Sequence, residues 1–382
     1  MITGFLVCEA GLQVIARTPL AKVLPLVEPQ LGQPDPDTGY EFVPGIKAVW
    51  SRENRAIVEI NEIGLRDSPL IHNGKNDSYR IVLSGDSIVE ALQVENDRVF
   101  DYLAEVEMRR NGHDVEILNF GISGSGPLRQ LVRLEKKAAP LSPDLTIMLI
   151  AASDFISGEL RDDSEGPAYA LNPEGQVVRS HAFRHRASQR YAGTGAGKVF
   201  LALLRHSHVF RMIYQKRRGT LLALAGLPDF KRPQAATTNT ADACQTETFK
   251  RQHEFWVGHH PAEDWQILQR FLTETAIYAA HHNIAIGLYL PLATDSCLPE
   301  QKRREEAVAA ITRTLALHKI DFIDWNSAVY DQLSATTAAP ATDSLHGFGS
   351  GIGTGHLNYR GHDIYARILA KEIKRRLEKD GL

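Results

Sequence analysis

Leu145 to Ala151 reads LTIMLIA and is apolar at every position but Thr146. A strand apolar on both faces needs cover on both faces, which is the situation inside a parallel sheet flanked by helices. Two further strand-like runs precede it, Ile81 to Leu83 and Val115 to Asn119, and two follow it, Ile284 to Leu290 and the short Asp321 to Ile323. Helical patterns alternate with them. Phe100, Leu103, Ala104 and Glu107 recur at helical spacing. Pro127, a residue suited to a first helical turn, opens a segment with Leu128, Leu131 and Leu134 on one face. Further helices are expected over 262–282, 301–318 and 361–379, the last with Ile364, Ile368, Leu369, Ile373 and Leu377 turned inward. Strands alternating with helices predict an α/β fold with a doubly wound, five-stranded parallel sheet. In such sheets ligands bind beyond the carboxyl ends of the strands, so whatever follows each strand shares one rim.

The 382 residues, 43% of them hydrophobic, suffice for one large core. The α/β pattern occupies 80–382. Residues 1–79 read as an N-terminal segment followed by a β/loop extension, because 28–79 is rich in Pro, Asp and Gly with short β-like runs such as Ile57 to Ile60. About 156–262 breaks the rhythm. It is polar, carries basic patches at 184–190 and 216–218 and a Thr/Ala/Asn-rich run at 235–243, and reads as an insertion, partly helical over 198–224. Because it follows the third strand, it is expected over the rim. A net charge of −3 with interspersed signs argues against a nucleic-acid surface. No window of about 20 apolar residues supplies a complete membrane span. Cys8, Cys244 and Cys297 match no zinc or redox spacing; Cys244 and Cys297 can pair only in an oxidising compartment, and idle thiols are the simpler reading. Gly4 to Ile15 is apolar apart from Glu9 and Gln13, without a basic leader or a small-residue cleavage site. Two readings of it stay open: a short helix lying on the domain, or part of a membrane anchor giving membrane association through the N-terminus.

Chemistry concentrates at strand ends. Arg80 to Glu90, RIVLSGDSIVE, is a strand running through Gly85-Asp86-Ser87 into a helix. Such a turn holds a serine hydroxyl exposed above a sheet with backbone N–H groups nearby to receive an oxyanion; the alternative role for Ser87 is a helix cap. A serine nucleophile needs a base, and His356, in HLNYRGH just before the last helix, is placed to serve. Gly124 lies in the segment after the second strand and Ser153 after the third. His346, His356 and His362 form no helical pair with a carboxylate, so a metal site is not expected.

These blocks, in this order, resemble the SGNH hydrolases, also called the GDSL esterase/lipase family. Gly85-Asp86-Ser87 matches that family's first block, Gly124 its second, Ala152-Ser153-Asp154 its third, and Gly353 to His356 its Asp-x-x-His block. Asn61 to Asp67, NEIGLRD, resembles the lead-in of bacterial, envelope-associated members. The resemblance covers about 60–160 and 262–378. It implies a flavodoxin-like fold and hydrolysis of an O-acyl ester through an acyl-enzyme. Ser87 would be nucleophile, His356 base, and the oxyanion donors would be the N–H groups of Ser87 and Gly124 with Ser153 in support. It implies no metal or organic cofactor, a small-molecule or polysaccharide acyl ester as substrate, and a place in the cell envelope or periplasm, with the cytoplasm as the alternative. Acyl transfer to a sugar would use the same residues, and a non-catalytic carbohydrate-binding or scaffold protein on a degenerate SGNH fold is the rival from another class.

Two departures stand out. Ser153 occupies the place of an asparagine whose amide would donate to the oxyanion, and loss of one such donor costs about 10² to 10³ in rate. Gly353 occupies the place of the acid that orients the histidine. A replacement acid is therefore expected. Asp343 is the candidate, because five glycines between 347 and 355 allow the chain to fold back sharply. Without an acid, a Ser–His dyad remains.

Overall fold

The computed structural model describes residues 2–16, 18, 31–67, 78–155, 160, 166–214, 254–258, 260–289, 298–334 and 342–381. Four short strands form the N-terminal extension: β1 (Gly32–Asp35) pairs with β2 (Gly39–Phe42), and β3 (Lys47–Trp50) with β4 (Ala56–Glu59), both antiparallel. The central sheet is built from β5 (Tyr79–Gly85), β6 (Val115–Gly121), β7 (Leu145–Ala151), β10 (Ile284–Tyr289) and β11 (Asp321–Asp324). All four pairings are parallel and the spatial order is β6-β5-β7-β10-β11. Numbered within the sheet this is 2-1-3-4-5, the flavodoxin-like doubly wound order. The expected α/β sheet of five strands is thus the observed one, and the β5 and β7 ends flank its topological switch point.

The two-sided burial read from LTIMLIA is met literally: every residue of β6 and β7 is buried. One face is covered by α3 (Phe100–Arg110) and the C-terminal helix α10 (Tyr359–Asp380), with Trp325, Tyr365 and Leu369 fully enclosed. The other is covered by α4 (Pro127–Arg133), α7 (Ala262–Ala279) and α8 (Leu298–Leu317), which close over Val82, Met148 and Ile286. Each fully buried Leu, Ile or Phe contributes about 1.5–3 kcal/mol, so the rim is carried by a rigid platform. A buried ion pair sits within it: Arg80 Nε donates to Glu116 Oε2 at 2.7 Å, the side chains 3% and 8% exposed.

The extension has a small core of its own, and that core locates it. Leu31, Phe42, Ala48, Val58 and Ile60 pack on Leu92 and Ile122, which lie just beyond the first strand-to-helix turn and just after β6. The extension is therefore docked on the carboxyl rim of the sheet. The described part of the insertion contains the hairpin β8 (Ala168–Leu171) and β9 (Val177–Ser180) and the helices α5 (Ala187–Gly193) and α6 (Gly195–His206). It bonds to the extension: Arg184 Nε donates to the Pro36 carbonyl, Gln189 Nε2 to the Gly39 carbonyl, and Arg205 to Gln33 Oε1 at 3.1 Å. The stretch 215–253, with the basic run at 216–218, the Thr/Ala/Asn-rich run and Cys244, lies outside the described residues, as do the Pro291 loop and Cys297.

The N-terminal apolar segment is a helix, α1 (Ile2–Ala16). Its Glu9 accepts from Ser207 Oγ and the N–H groups of His208 and Val209, which holds its carboxyl down at about 2 despite partial burial. Leu6, Val7 and Val14 are exposed. Among the described residues no helix is long and apolar enough to cross a membrane.

Candidate active site

β5 ends at Gly85, and the chain turns at Asp86 into the single-turn helix α2 (Ser87–Glu90). The turn needs its glycines for space. A Cβ on Gly85 would lie 2.2 Å from Val89 Cγ2, and one on Gly121 at the end of β6 would lie 2.2 Å from the Glu90 nitrogen. Asp86 caps the helix by accepting from the Ile88 N–H at 2.9 Å. Ser87 is thus the first residue of α2, half-buried at the rim. The sheet register sets Gly85 opposite Gly121, and the Ile122 N–H bonds to the Gly85 carbonyl at 3.1 Å, so the loop after β6 runs beside the Ser87 turn. In that loop Gly124 is exposed with φ +69°, a left-handed conformation that favours glycine. The backbone of Ser153 lies in the short helical turn Ala152–Phe155 after β7, on the same rim; its side chain is outside the described residues.

His356 comes to this rim on the loop before α10. Leu345 to Asn358 folds as a narrow hairpin: the Gly347 N–H donates to the His356 carbonyl at 2.8 Å, the Gly353 N–H to the His346 carbonyl at 3.0 Å, and the Asn358 N–H to the Leu345 carbonyl at 2.9 Å. Asn358 then caps α10 by accepting from the Gly361 N–H. The His356 side chain is 27% exposed. The charges of Asp86 and Glu90, before and at the end of α2, act on its ring.

The acid on His356 is not the one expected. Glu53, from the loop between β3 and β4, grips the histidine with both oxygens. Oε1 lies 2.6 Å from Nδ1, and Oε2 accepts from the His356 backbone N–H at 2.9 Å. Nδ1 has one hydrogen-bonding direction, and Glu53 fills it. Asp343 stands in the tight turn Thr342–Leu345, its side chain outside the described residues, so the bond foreseen for it is corrected to Glu53. Two local features make the grip possible. Glu53 itself adopts φ +62°, uncommon for a residue with a Cβ, which turns its side chain toward the rim. Gly355 leaves the room: a Cβ there would lie 2.5 Å from Glu53 Oε2. Next in the loop, Asn54 Nδ2 donates to the Gln93 carbonyl at 2.8 Å and tethers the loop to the segment after α2.

The electrostatics follow from these contacts. Burial works against the imidazolium, but the Glu53 hydrogen bond and the charges of Glu53, Asp86 and Glu90 outweigh it and raise the His356 pKa above its ordinary value. Burial likewise works against the Glu53 carboxylate, and the two bonds from His356 overcome it and hold its pKa down. Burial pushes Asp86 and Glu90 up. Arg66, from the Asn61–Asp67 segment, is fully enclosed behind α2 and donates to the Glu90 carbonyl at 2.9 Å and to the Val94 carbonyl; burial brings its pKa down to about 10. His362 belongs to the core rather than the site. It stacks on Phe100 at 5.9 Å, and burial lowers its pKa to about 3. Among the described residues no group of His, Cys, Asp and Glu is arranged to hold a metal ion.

No family model matches the chain, and no curated protein matches it. Among solved structures it is similar to a lipase/acylhydrolase from Enterococcus faecalis, with 17% identity, 78% of this chain and 96% of that chain covered, and a TM-score of 0.35. It is also similar to the psychrotrophic esterase EstA from Pseudoalteromonas sp., with 12% identity, 79% and 100% coverage and a TM-score of 0.36. A third is an acetyl xylan esterase from Geobacillus stearothermophilus, with 12% identity, 78% and 95% coverage and a TM-score of 0.36.

Proposed function

We propose that this chain is a serine esterase of the SGNH type in which Ser87 is the nucleophile, His356 the base and Glu53 the acid. The observation that supports it best is the two-oxygen grip of Glu53 on His356. A histidine that serves a nucleophile needs its proton on the nitrogen facing away from the serine and a counter-charge when it becomes a cation. Glu53 meets both needs. Accepting at Nδ1 leaves Nε2 as the free base, and the carboxylate stands by to stabilise the imidazolium. A scaffold protein has no requirement for a left-handed Glu53 or for a glycine cleared to admit its carboxylate.

In this reading Ser87 Oγ attacks the acyl carbonyl while His356 Nε2 takes the hydroxyl proton. The carbonyl electron pair moves to oxygen, and the N–H groups of Ser87 and Gly124 receive that charge with Ser153 in support. Collapse breaks the bond to the alcohol, which leaves with the proton from His356. Water then attacks the acyl-enzyme, gives its proton to His356, and releases the carboxylic acid and the free serine. The substrate class is an O-acyl ester, with a carbohydrate or another envelope-associated molecule as the alcohol component. The test is turnover of short acyl esters by the parent and by Ser87→Ala. The parent should hydrolyse them and Ser87→Ala should not, with the fold unchanged by circular dichroism; equal rates would remove Ser87 from the mechanism.

A further inference from the structure

We propose that Tyr40 and Glu90 are positioning residues that fix the direction of the Gly124 N–H, so that the N-terminal extension prepares the oxyanion site as well as supplying the acid. The proposal rests on the serine-esterase reading and extends it to residues that touch neither the ester nor the reacting serine.

The Ser123 carbonyl and the Gly124 N–H belong to the same planar unit and point in opposite directions. Whatever holds the carbonyl therefore aims the N–H. The hydroxyl of Tyr40, at the second position of β2, donates to the Ser123 carbonyl. Tyr40 is itself held: the Arg129 guanidinium lies 4.0 Å over its ring, and Arg129 Nη2 donates to the Tyr40 carbonyl at 2.9 Å. With the carbonyl turned toward the extension, the Gly124 N–H is directed away from it.

The residue before the glycine is gripped from the other side. Ser123 Oγ donates to the Glu90 carboxylate. Glu90 is only 3% exposed and closes the helix that Ser87 opens. Arg66 holds the Glu90 carbonyl from behind. The loop is thus bracketed between α2 and β2, with the side-chain oxygen and the carbonyl of Ser123 both bonded. Gly124, with no Cβ and a left-handed φ, would otherwise leave this peptide easily rotated. A carboxylate buried so deeply is a costly way to hold a surface loop, and an oxyanion donor needs the fixed orientation it provides.

Tyr40→Phe removes the hydroxyl and keeps the ring under Arg129. Loss of a whole oxyanion donor costs about 10² to 10³; a donor freed to wander should cost about 10- to 100-fold in kcat, with KM held within about twofold. The rate of phosphonylation by a fluorophosphonate, whose P=O oxygen seeks the same donors, should fall in parallel. Glu90→Gln keeps an acceptor for Ser123 Oγ and should retain more activity than Glu90→Ala. A merely structural role would lower Tm and leave kcat per folded molecule at the parental value. Amide exchange at Gly124, followed by NMR, should quicken in Tyr40→Phe. Parental kcat together with parental Gly124 exchange in Tyr40→Phe would overturn the proposal. Should Ser87→Ala turn over esters as fast as the parent, it is the esterase reading that fails, and Gly124 exchange then decides the clamp by itself.

Discussion

Replacing Glu53 by Gln exchanges one carboxylate oxygen for an amide NH2 and leaves the length and shape of the side chain unchanged. The two oxygens of Glu53 accept at 2.6 Å from the Nδ1 side and at 2.9 Å from the His356 backbone N–H. An amide satisfies only one of these. If its oxygen keeps the backbone bond, its NH2 faces Nδ1, and the ring proton moves to Nε2, the nitrogen that must accept from Ser87. If its oxygen keeps Nδ1, two donors face each other across the other contact and the Gly355–His356 segment must shift. The counter-charge is lost in both cases. A wrong tautomer of this kind lowers kcat by about 10⁴ in a serine–histidine–acid site, and Asp86 and Glu90 still act on His356 in the variant. The expected loss is therefore about 10³ to 10⁴ in kcat, or about 4–5.5 kcal/mol of transition-state stabilisation, with KM little changed. The assay is steady-state hydrolysis of a short-chain nitrophenyl ester across the imidazole pH range, with Tm measured alongside. The pair lies at the surface, its side chains 27% and 34% exposed, and surface ion pairs contribute about 0–1 kcal/mol, so the fold should tolerate the change. A kcat within about threefold of the parent would refute the reasoning and leave a Ser–His dyad.

The remaining expectations follow from the same geometry. Because the His356 pKa lies above its ordinary value of 6.5, kcat/KM for the parent should rise with pH to a midpoint above 6.5, and the residual activity of Glu53→Gln should titrate lower. In stability the pair has two edges. The depressed Glu53 pKa gives a contribution that is lost as pH falls through it, and the raised His356 pKa gives one that is lost as pH rises through it, so Glu53→Gln should flatten the Tm–pH profile at both. Gly355→Ala places a Cβ 2.5 Å from Glu53 Oε2 at φ +82°; it should cost about 1–2 kcal/mol in strain by thermal unfolding and at least about tenfold in kcat by the ester assay. Glu116→Ala removes the carboxylate on Arg80 Nε while the Leu141 carbonyl still holds Nη1; it should lower unfolding free energy by about 1.5–3 kcal/mol in urea titration, while kcat of the folded enzyme stays near parental.

What the sequence revealed and what it hid have physical causes. Two-sided burial leaves a mark in the chain itself, so β7 was readable from LTIMLIA without a partner in view. The positions of Ser87 and His356 at the starts of elements were readable for a related reason. Each sits where an element begins, with Gly85 and Asp86 before the one and Asn358 capping the helix after the other. Glu53, the acid of the proposed site, had no such mark. Glu53 lies 303 residues from His356, in a loop between two four-residue strands and among charged neighbours, where nothing periodic singles out one carboxylate. The gap at Gly353 signalled that an acid must come from elsewhere, and Gly355 was the available hint of direction: a glycine beside the histidine makes space for something that approaches closely. Tyr40 was hidden likewise, because its partner is a backbone carbonyl and leaves no trace in residue type.

The most direct measurement is covalent labelling of the intact chain with a fluorophosphonate, followed by peptide mapping of the adduct. One adduct is expected, on Ser87, formed more slowly in Glu53→Gln and absent in Ser87→Ala. An unlabelled parent, or an adduct on another serine that survives Ser87→Ala, would contradict it.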